Sequence, residues 1–303
     1  MSDVELAATQ AAAVEPLALR RAPFEGRALR SIVLSAVAWV TAIVASIPLF
    51  SVLYMLIVRG GARLDWEALS TLPPAGFEMG GGFGNALVGT FVMVGIGAAL
   101  AIPVGILIAV FFAELGPDSR LAATARFAAK TLTGFPSILA GVFAYAAVVL
   151  ITGTYSAPAG GAALALLMLP TVILTAEEAM KTVPKIMKDA AYGMGCTRTQ
   201  VIWNVVLPTA LPGILTGVML AVARAAGETA PLLFTALFSS YWLVQDGQLG
   251  LMQPTASLAV LIYNFSGMPF DNQIELAWAA SLVLVMIVLL INIVSRLVGR
   301  RRV

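Results

Sequence analysis

Histidine is absent from this 303-residue chain, and cysteine occurs once, at Cys196. Without imidazole there is no Ser-His-Asp or Cys-His catalysis and no histidine metal site. A single cysteine excludes an internal disulfide and a thiolate metal cluster. Charge is scarce too: 11% of residues are Asp, Glu, Lys or Arg, against about one quarter in soluble domains. The formal net charge of +2 is too small to point to nucleic acid. Neither Walker motif is present, so the chain is not expected to be an enzyme that hydrolyses ATP itself. No metal or cofactor is expected either. The Ala-rich, polar stretch up to Arg30 has no apolar core before a cleavage site, so no cleavable signal peptide is expected.

What is abundant is apolar surface, at 60% of residues. A soluble domain of this size could not bury so much, which makes the bilayer the solvent. Six segments reach or approach the roughly 20 apolar residues that a spanning helix needs: 31–58, 85–113, 132–151, 161–175, 213–238 and 274–295. The expected fold is therefore an all-α, polytopic membrane protein of six transmembrane helices. Residues 1–30 read as a tail, and residues 31–303 as the membrane domain. Pro48, Pro103, Pro136 and Pro231 interrupt several spans, as membrane helices tolerate when neighbours satisfy the freed backbone groups.

Lys and Arg set the orientation. An alternating six-span arrangement puts Arg20, Arg21, Arg27, Arg30, Arg120, Arg126, Lys130, Lys181, Lys185, Lys188, Arg198, Arg296, Arg300, Arg301 and Arg302 on one side. The other side receives only Arg59 and Arg63, and Arg224 falls inside a span. Both termini are thus expected in the cytoplasm. The opposite face holds two long loops carrying Asp65, Glu67, Glu78, Asp246 and Asp271. No inverted internal repeat is visible, which weighs against a self-contained secondary transporter.

The polar stretch 177–212 stands out between two apolar runs. Residues 182–195 read as a short helix with Pro184 in its first turn. Gly193 and Gly195 offer positions where φ can turn positive and end it. A second helix begins with Thr197 or Thr199 as N-cap and runs to Val206. Pro208 and Pro212 are expected to stop the loop and redirect the chain into the fifth span. Asp189-Ala190-Ala191, three residues, Gly195, nine residues, then Val205-Val206-Leu207-Pro208 resembles the EAA loop of ABC-importer permeases. The family pattern has Glu for Asp189 and Ile for Val205; both exchanges keep charge or β-branched bulk. The resemblance implies a type I importer fold and a docking role toward an ATP-hydrolysing subunit for Asp189, Ala190, Ala191, Gly195, Leu207 and Pro208.

In the fifth span Arg224 and Glu228 stand at i and i+4, which on a helix puts them on one face. Continued as a helix, that face reads Gly213, Gly217, Ala221, Arg224, Glu228, Pro231 and Thr235. Charges at membrane depth cost several kcal/mol unless paired or facing water. Two readings stand: a structural ion pair, or a pathway for a polar or anionic solute lined by Arg224, Glu228 and Thr235. Arginine suits an oxyanion through bidentate hydrogen bonds, whereas a charged Glu228 would repel it, favouring a gate or a neutralised pair.

The segment ARAAGETAPLLFTALFSSYW at 223–242, with VGILIAVFFAELG at 104–116, GFPSILAGVF at 134–143, SLAVLIYN at 257–264 and ELAWAA at 275–280, resembles the PstA-type permeases of phosphate-specific (Pst) ABC transporters. The likeness covers roughly residues 30–300 in order. It implies one of two permease subunits in a bacterial inner membrane, importing inorganic phosphate. The implied partners are an ATPase dimer, a PstC-type sister permease and an extracytoplasmic phosphate-binding protein. Rival readings are a permease for molybdate or sulfate, an intramembrane enzyme, or a passive channel. An enzyme would need paired carboxylates or a nucleophile with a base at membrane depth, where Glu228 is the one acid.

Gly213 and Gly217 form a GxxxG pair, read as intramolecular packing in preference to dimerisation. The stretch 134–137 is either a broken helix lining the path or a simple kink. The glycine run 80–84 lacks the Lys-Ser/Thr ending of a phosphate cradle and reads as a flexible loop. Asn264, Ser266 and Asn272 are candidates for contact with the binding protein.

Overall fold

A computed structural model describes residues 26–245 and 247–300. The expected tail lies outside the described residues as far as position 25, as does Asp246. The chain divides into two units, 1–54 and 55–303. In the first, helix α1 (Gly26–Met55) keeps its apolar side chains exposed on every side, Ile32, Trp39, Ile43 and Phe50 among them. A helix that is apolar all round requires a non-aqueous surrounding. Pro48 lies inside it.

The second unit opens on the π turn Leu56–Gly60. It continues through α2 (Trp66–Ser70), α3 (Gly84–Val110, prolonged by the π turn Phe111–Leu115) and α4 (Arg120–Thr133). Next come α5 (Ser137–Ala144, running on to Thr152) and α6 (Ala157–Lys181). The polar loop supplies α7 (Lys185–Gly193) and α8 (Arg198–Val201). The chain ends with α9 (Leu207–Ala226), α10 (Ala230–Thr235), a hairpin of β1 (Val244–Gln245) and β2 (Gln248–Leu249), α11 (Leu258–Ser266) and α12 (Asp271–Arg300).

Among the described residues, five helices are long and apolar enough to cross a membrane: Arg30–Gly60, Gly84–Leu115, Ala157–Lys181, Arg198–Ala226 and Asp271–Ser295. The expected span 132–151 is instead the bent pair α4 and α5, meeting at 108°, a sixth crossing if taken as one. The bend has a local cause. Gly134 ends α4, and Pro136 lacks an N–H and drives Phe135 out of the helical region. The fourth span is longer than 161–175, because Ser156 caps it by accepting the Ala159 N–H at 3.3 Å and Pro158 fits its first turn.

Helices α3, α6 and α9 form the core, with small residues where backbones meet. A Cβ added at Gly97 would lie 3.1 Å from the Gly161 carbonyl oxygen, and one at Gly105 2.7 Å from Val172 Cγ1. On α9, Gly213 faces Ala179 and Gly217 faces Thr175, both on α6, so this GxxxG pair packs within the chain.

The outer loops depart from a simple polar reading. Nine residues of the last one form α11, buried through Leu258, Val260, Leu261 and Phe265. Asn272 is spent inside the protein, donating from Nδ2 to the carbonyls of Glu78 (2.9 Å) and Gly80 (3.0 Å). The glycine run is tied down: Gly81 N–H donates to Glu67 Oε1 at 2.9 Å, Gly82 N–H to Leu72 O and Gly84 N–H to Thr71 O. It is therefore an anchored turn and not a free loop.

Candidate functional site

Two places carry the polar chemistry, and one helix joins them. The first is the loop after α6. Helix α7 starts behind Pro184 and ends in a Schellman turn. Gly195 has φ +86°. Its N–H donates to Tyr192 O at 2.9 Å, and the Cys196 N–H donates to Ala191 O at 3.1 Å. Only glycine adopts that left-handed conformation without cost, which explains the glycine of the motif. Helix α8 follows with a capping box: Thr197 Oγ1 accepts the Gln200 N–H, and Gln200 Oε1 accepts the Thr197 N–H.

The loop has its own floor. Ala191, Val183, Val201, Ile202 and Val206 are buried and continuous with the α6–α9 core. Asp189, Ala190, Gly195 and Pro208 are exposed, Leu207 is half-buried and Ala191 is 2% exposed. Ile186, Met187, Tyr192 and Met194 stand outward beside Asp189. Methionine and aromatic side chains in a polar setting are characteristic of protein interfaces.

Pro208 and Pro212 do not redirect the chain as expected. From Arg198 to Ala226 it is one continuous helix. The π turn Ile202–Val206, closed by the Leu207 N–H on Ile202 O, places Pro208 where its missing N–H falls at the start of the next helical segment. Proline is at home in such a first turn.

The second place is the end of that helix. The expected continuous span 213–238 breaks at 227–229, and α10 starts afresh at Ala230. A helix through this point would need the Pro231 N–H, and the proline ring would clash with the Gly227 carbonyl. Arg224 sits in the last turn of α9. Its Nε is 3.6 Å from Glu228 Oε1, beyond a good hydrogen bond, with the side chains 51% and 16% exposed. This is a loose ion pair across a break. Carrying on the register of Gly213 on Ala179 and Gly217 on Thr175 by two turns sets Arg224 about level with Met168, half-way along α6. Thr235 does not share this surface. It is fully buried, and its hydroxyl donates to Pro231 O at 2.9 Å.

Two carboxylates outside the expected set hold the base of the loop. Glu177, 2% exposed, accepts from Arg126 Nε and Lys181 Nζ, each at 2.8 Å. Arg126 also lies over the Phe112 ring at 5.2 Å, joining α4, α6 and the end of α3. Glu114 pairs with Lys188. Glu177 and Lys181 stand at i and i+4 on α6, but local sequence carries no sign of the Arg126 and Lys188 partnerships, 51 and 74 residues distant. Among the described residues no three His, Cys, Asp or Glu side chains cluster as a metal site.

A bundle of membrane-crossing helices, with a polar helical projection between two spans and a charged break at mid-depth, defines a multi-pass membrane permease. The chain belongs to the family of binding-protein-dependent transport system inner membrane components, whose pattern matches residues 101–303. It is 37% identical over 248 residues to a phosphate transport system permease protein PstA of Haemophilus influenzae, covering 81% of this chain and 85% of that one. A PstA of Yersinia pestis is 35% identical over 251 residues, 83% of each chain. In fold it matches a chain of a bacterial alginate ABC transporter solved with an alginate pentasaccharide-bound periplasmic protein (TM-score 0.61, 16% identity), covering 92% of this chain and 98% of that one.

Proposed function

We propose that this chain is one permease subunit of an ATP-driven ABC importer of inorganic phosphate. In this reading the loop of α7 and α8 docks on a separate ATPase subunit, and the Arg224 surface forms half of the pathway with a PstC-type sister permease. An extracytoplasmic phosphate-binding protein delivers substrate to the opposite face. The 15 Lys and Arg residues of one side against two on the other support cytoplasmic termini and a cytoplasmic docking loop.

The observation that carries the reading is the continuity of the helix Arg198–Ala226. The second half of the proposed docking loop, with Leu207 and Pro208, and the half-exposed Arg224 lie on this one helix. A lone guanidinium in hydrocarbon costs several kcal/mol, so the Arg224 face requires water or protein against it. An intramembrane enzyme is disfavoured, because Glu228 has Arg224 beside it and, among the described residues, no carboxylate paired with it. A passive channel leaves the shaped loop without a task. Phosphate rests on the PstA relatives.

The test is reconstitution. The chain is co-expressed with candidate ATPase and sister permease subunits, placed in vesicles with the binding protein, and assayed for ATP-dependent uptake of phosphate, molybdate and sulfate. Co-purification and phosphate uptake that stops without ATP are the expected results. Uptake of molybdate or sulfate alone would reassign the substrate. Failure to assemble with any ATPase, or transport without ATP, would end the reading.

A further inference from the structure

We infer that Glu114 is a positioning residue that locks the docking loop to the end of α3, so that loop and helix move as one body. The inference builds on the coupling role proposed above. The π turn Phe111–Leu115 leaves its last carbonyls without helical partners, at the negative end of the helix dipole. The Glu114 carboxylate adds a second negative charge at the same unfavourable place. Both are answered by cations from the loop. Lys188 of α7 meets the carboxylate, and Arg198 of α8 donates to the Glu114 main-chain carbonyl.

Arg198 would be unfavourable where it stands, in the first turn of α8 at the positive end of that dipole. Turned onto the last turn of α3, it caps a negative end. The contact is shielded from water, with side chains 10% exposed at Glu114 and 19% at Lys188. Among the described residues it is the one polar tie from α7 to another helix. The other anchor, Ala191 in the core, is apolar and has no directional preference, so it permits sliding. A charge-assisted contact to each half of the loop does not. Glu114 therefore determines that a push on α7 reaches α3 as well as α9.

The test has two arms. Hydrogen exchange is measured on the full chain in lipid nanodiscs across 185–201. Glu114→Gln should speed exchange there about tenfold, as the loss of one charge-assisted bond implies. The exchanged pair Glu114→Lys with Lys188→Glu should return it to within about twofold of the original. In the assembled transporter, Glu114→Gln should raise ATP hydrolysed per phosphate moved several-fold at unchanged KM for phosphate, and the exchanged pair should restore the ratio. Unchanged exchange, an exchanged pair as fast as the single variant, or an unchanged ratio would each overturn the inference. If Glu114→Gln does not fold, Lys188→Met must speed exchange in the same segment; protection equal to the original chain's overturns the inference. Should the unaltered complex show no ATP-driven phosphate uptake, the proposed function fails, while the exchange arm still decides whether the lock exists.

Discussion

Gly195 offers a prediction whose size can be worked through. Its φ of +86° lies in the left-handed region, where an L-residue costs roughly 1–2 kcal/mol. A Cβ there would meet nothing within 4 Å, so no steric term adds to this. Replacing glycine also narrows the unfolded ensemble, which returns about 0.4–1 kcal/mol. The net expectation for Gly195→Ala is about 0.5–1 kcal/mol, or a local opening of the turn about two- to fivefold more frequent. Gly195→Asn should cost less, because asparagine enters this region readily, and Gly195→Val should cost more. The assay is hydrogen exchange at the Gly195 and Cys196 amides, which close the Schellman turn. It is run on the chain alone and again with the ATPase bound. If Asn, Ala and Val are equally harmful, backbone conformation is not why glycine stands here. If all three are harmless alone but abolish assembly, close approach of the partner is the reason, and the argument from φ is refuted.

Three further outcomes follow from contacts already described. Gly217→Ala should destabilise the packing of α9 on α6 by about 1–3 kcal/mol as overpacking, since the new Cβ would lie 2.0 Å from Thr175 Oγ1; thermal unfolding in detergent reads it, and partial relief by Thr175→Ala is expected. Arg126→Gln removes one of two cations from a carboxylate 2% exposed; with Lys181 still bound, a loss of about 1–3 kcal/mol is expected, below the usual cost of breaking a buried pair, and an unchanged melting temperature would contradict it. Arg224→Gln should abolish phosphate uptake while the complex still assembles, and normal uptake by that variant would remove Arg224 from the pathway.

The apolar runs made most of the membrane helices legible, because 20 apolar residues have few other homes. The loop was legible in its details as well: Thr197 as cap and Gly195 as turn are local chemistry, written in adjacent residues. The discrepancies have physical reasons. Pro208 and Pro212 read as stops, but the π turn Ile202–Val206 sets Pro208 in the first turn of α9, and Pro212 is carried inside that helix. Arg224 and Glu228 read as one helical face, since i and i+4 fit a helix, while the break at Gly227 depends on Pro231 beyond them. Helix α11 is too short to register as a span, and it is helical because it is buried by its neighbours. Glu114 with Lys188, and Glu177 with Arg126, are separated by 74 and 51 residues. No local pattern announces pairs that only the folded bundle brings together.

The uninterrupted helix from Arg198 to Ala226 also has a mechanical meaning. Between Arg198 and Arg224 the arm is about 39 Å long at 1.5 Å per residue. If the arm pivots at the loop, each degree of tilt carries Arg224 sideways by about 0.7 Å on that length. A swing of five degrees thus shifts the guanidinium by about 3.4 Å on the same geometry, and Glu228, whose N–H donates to Ala225 O at 3.2 Å, moves with it. A small tilt at the loop is therefore amplified at the charged pair, which travels as a unit with the end of α9.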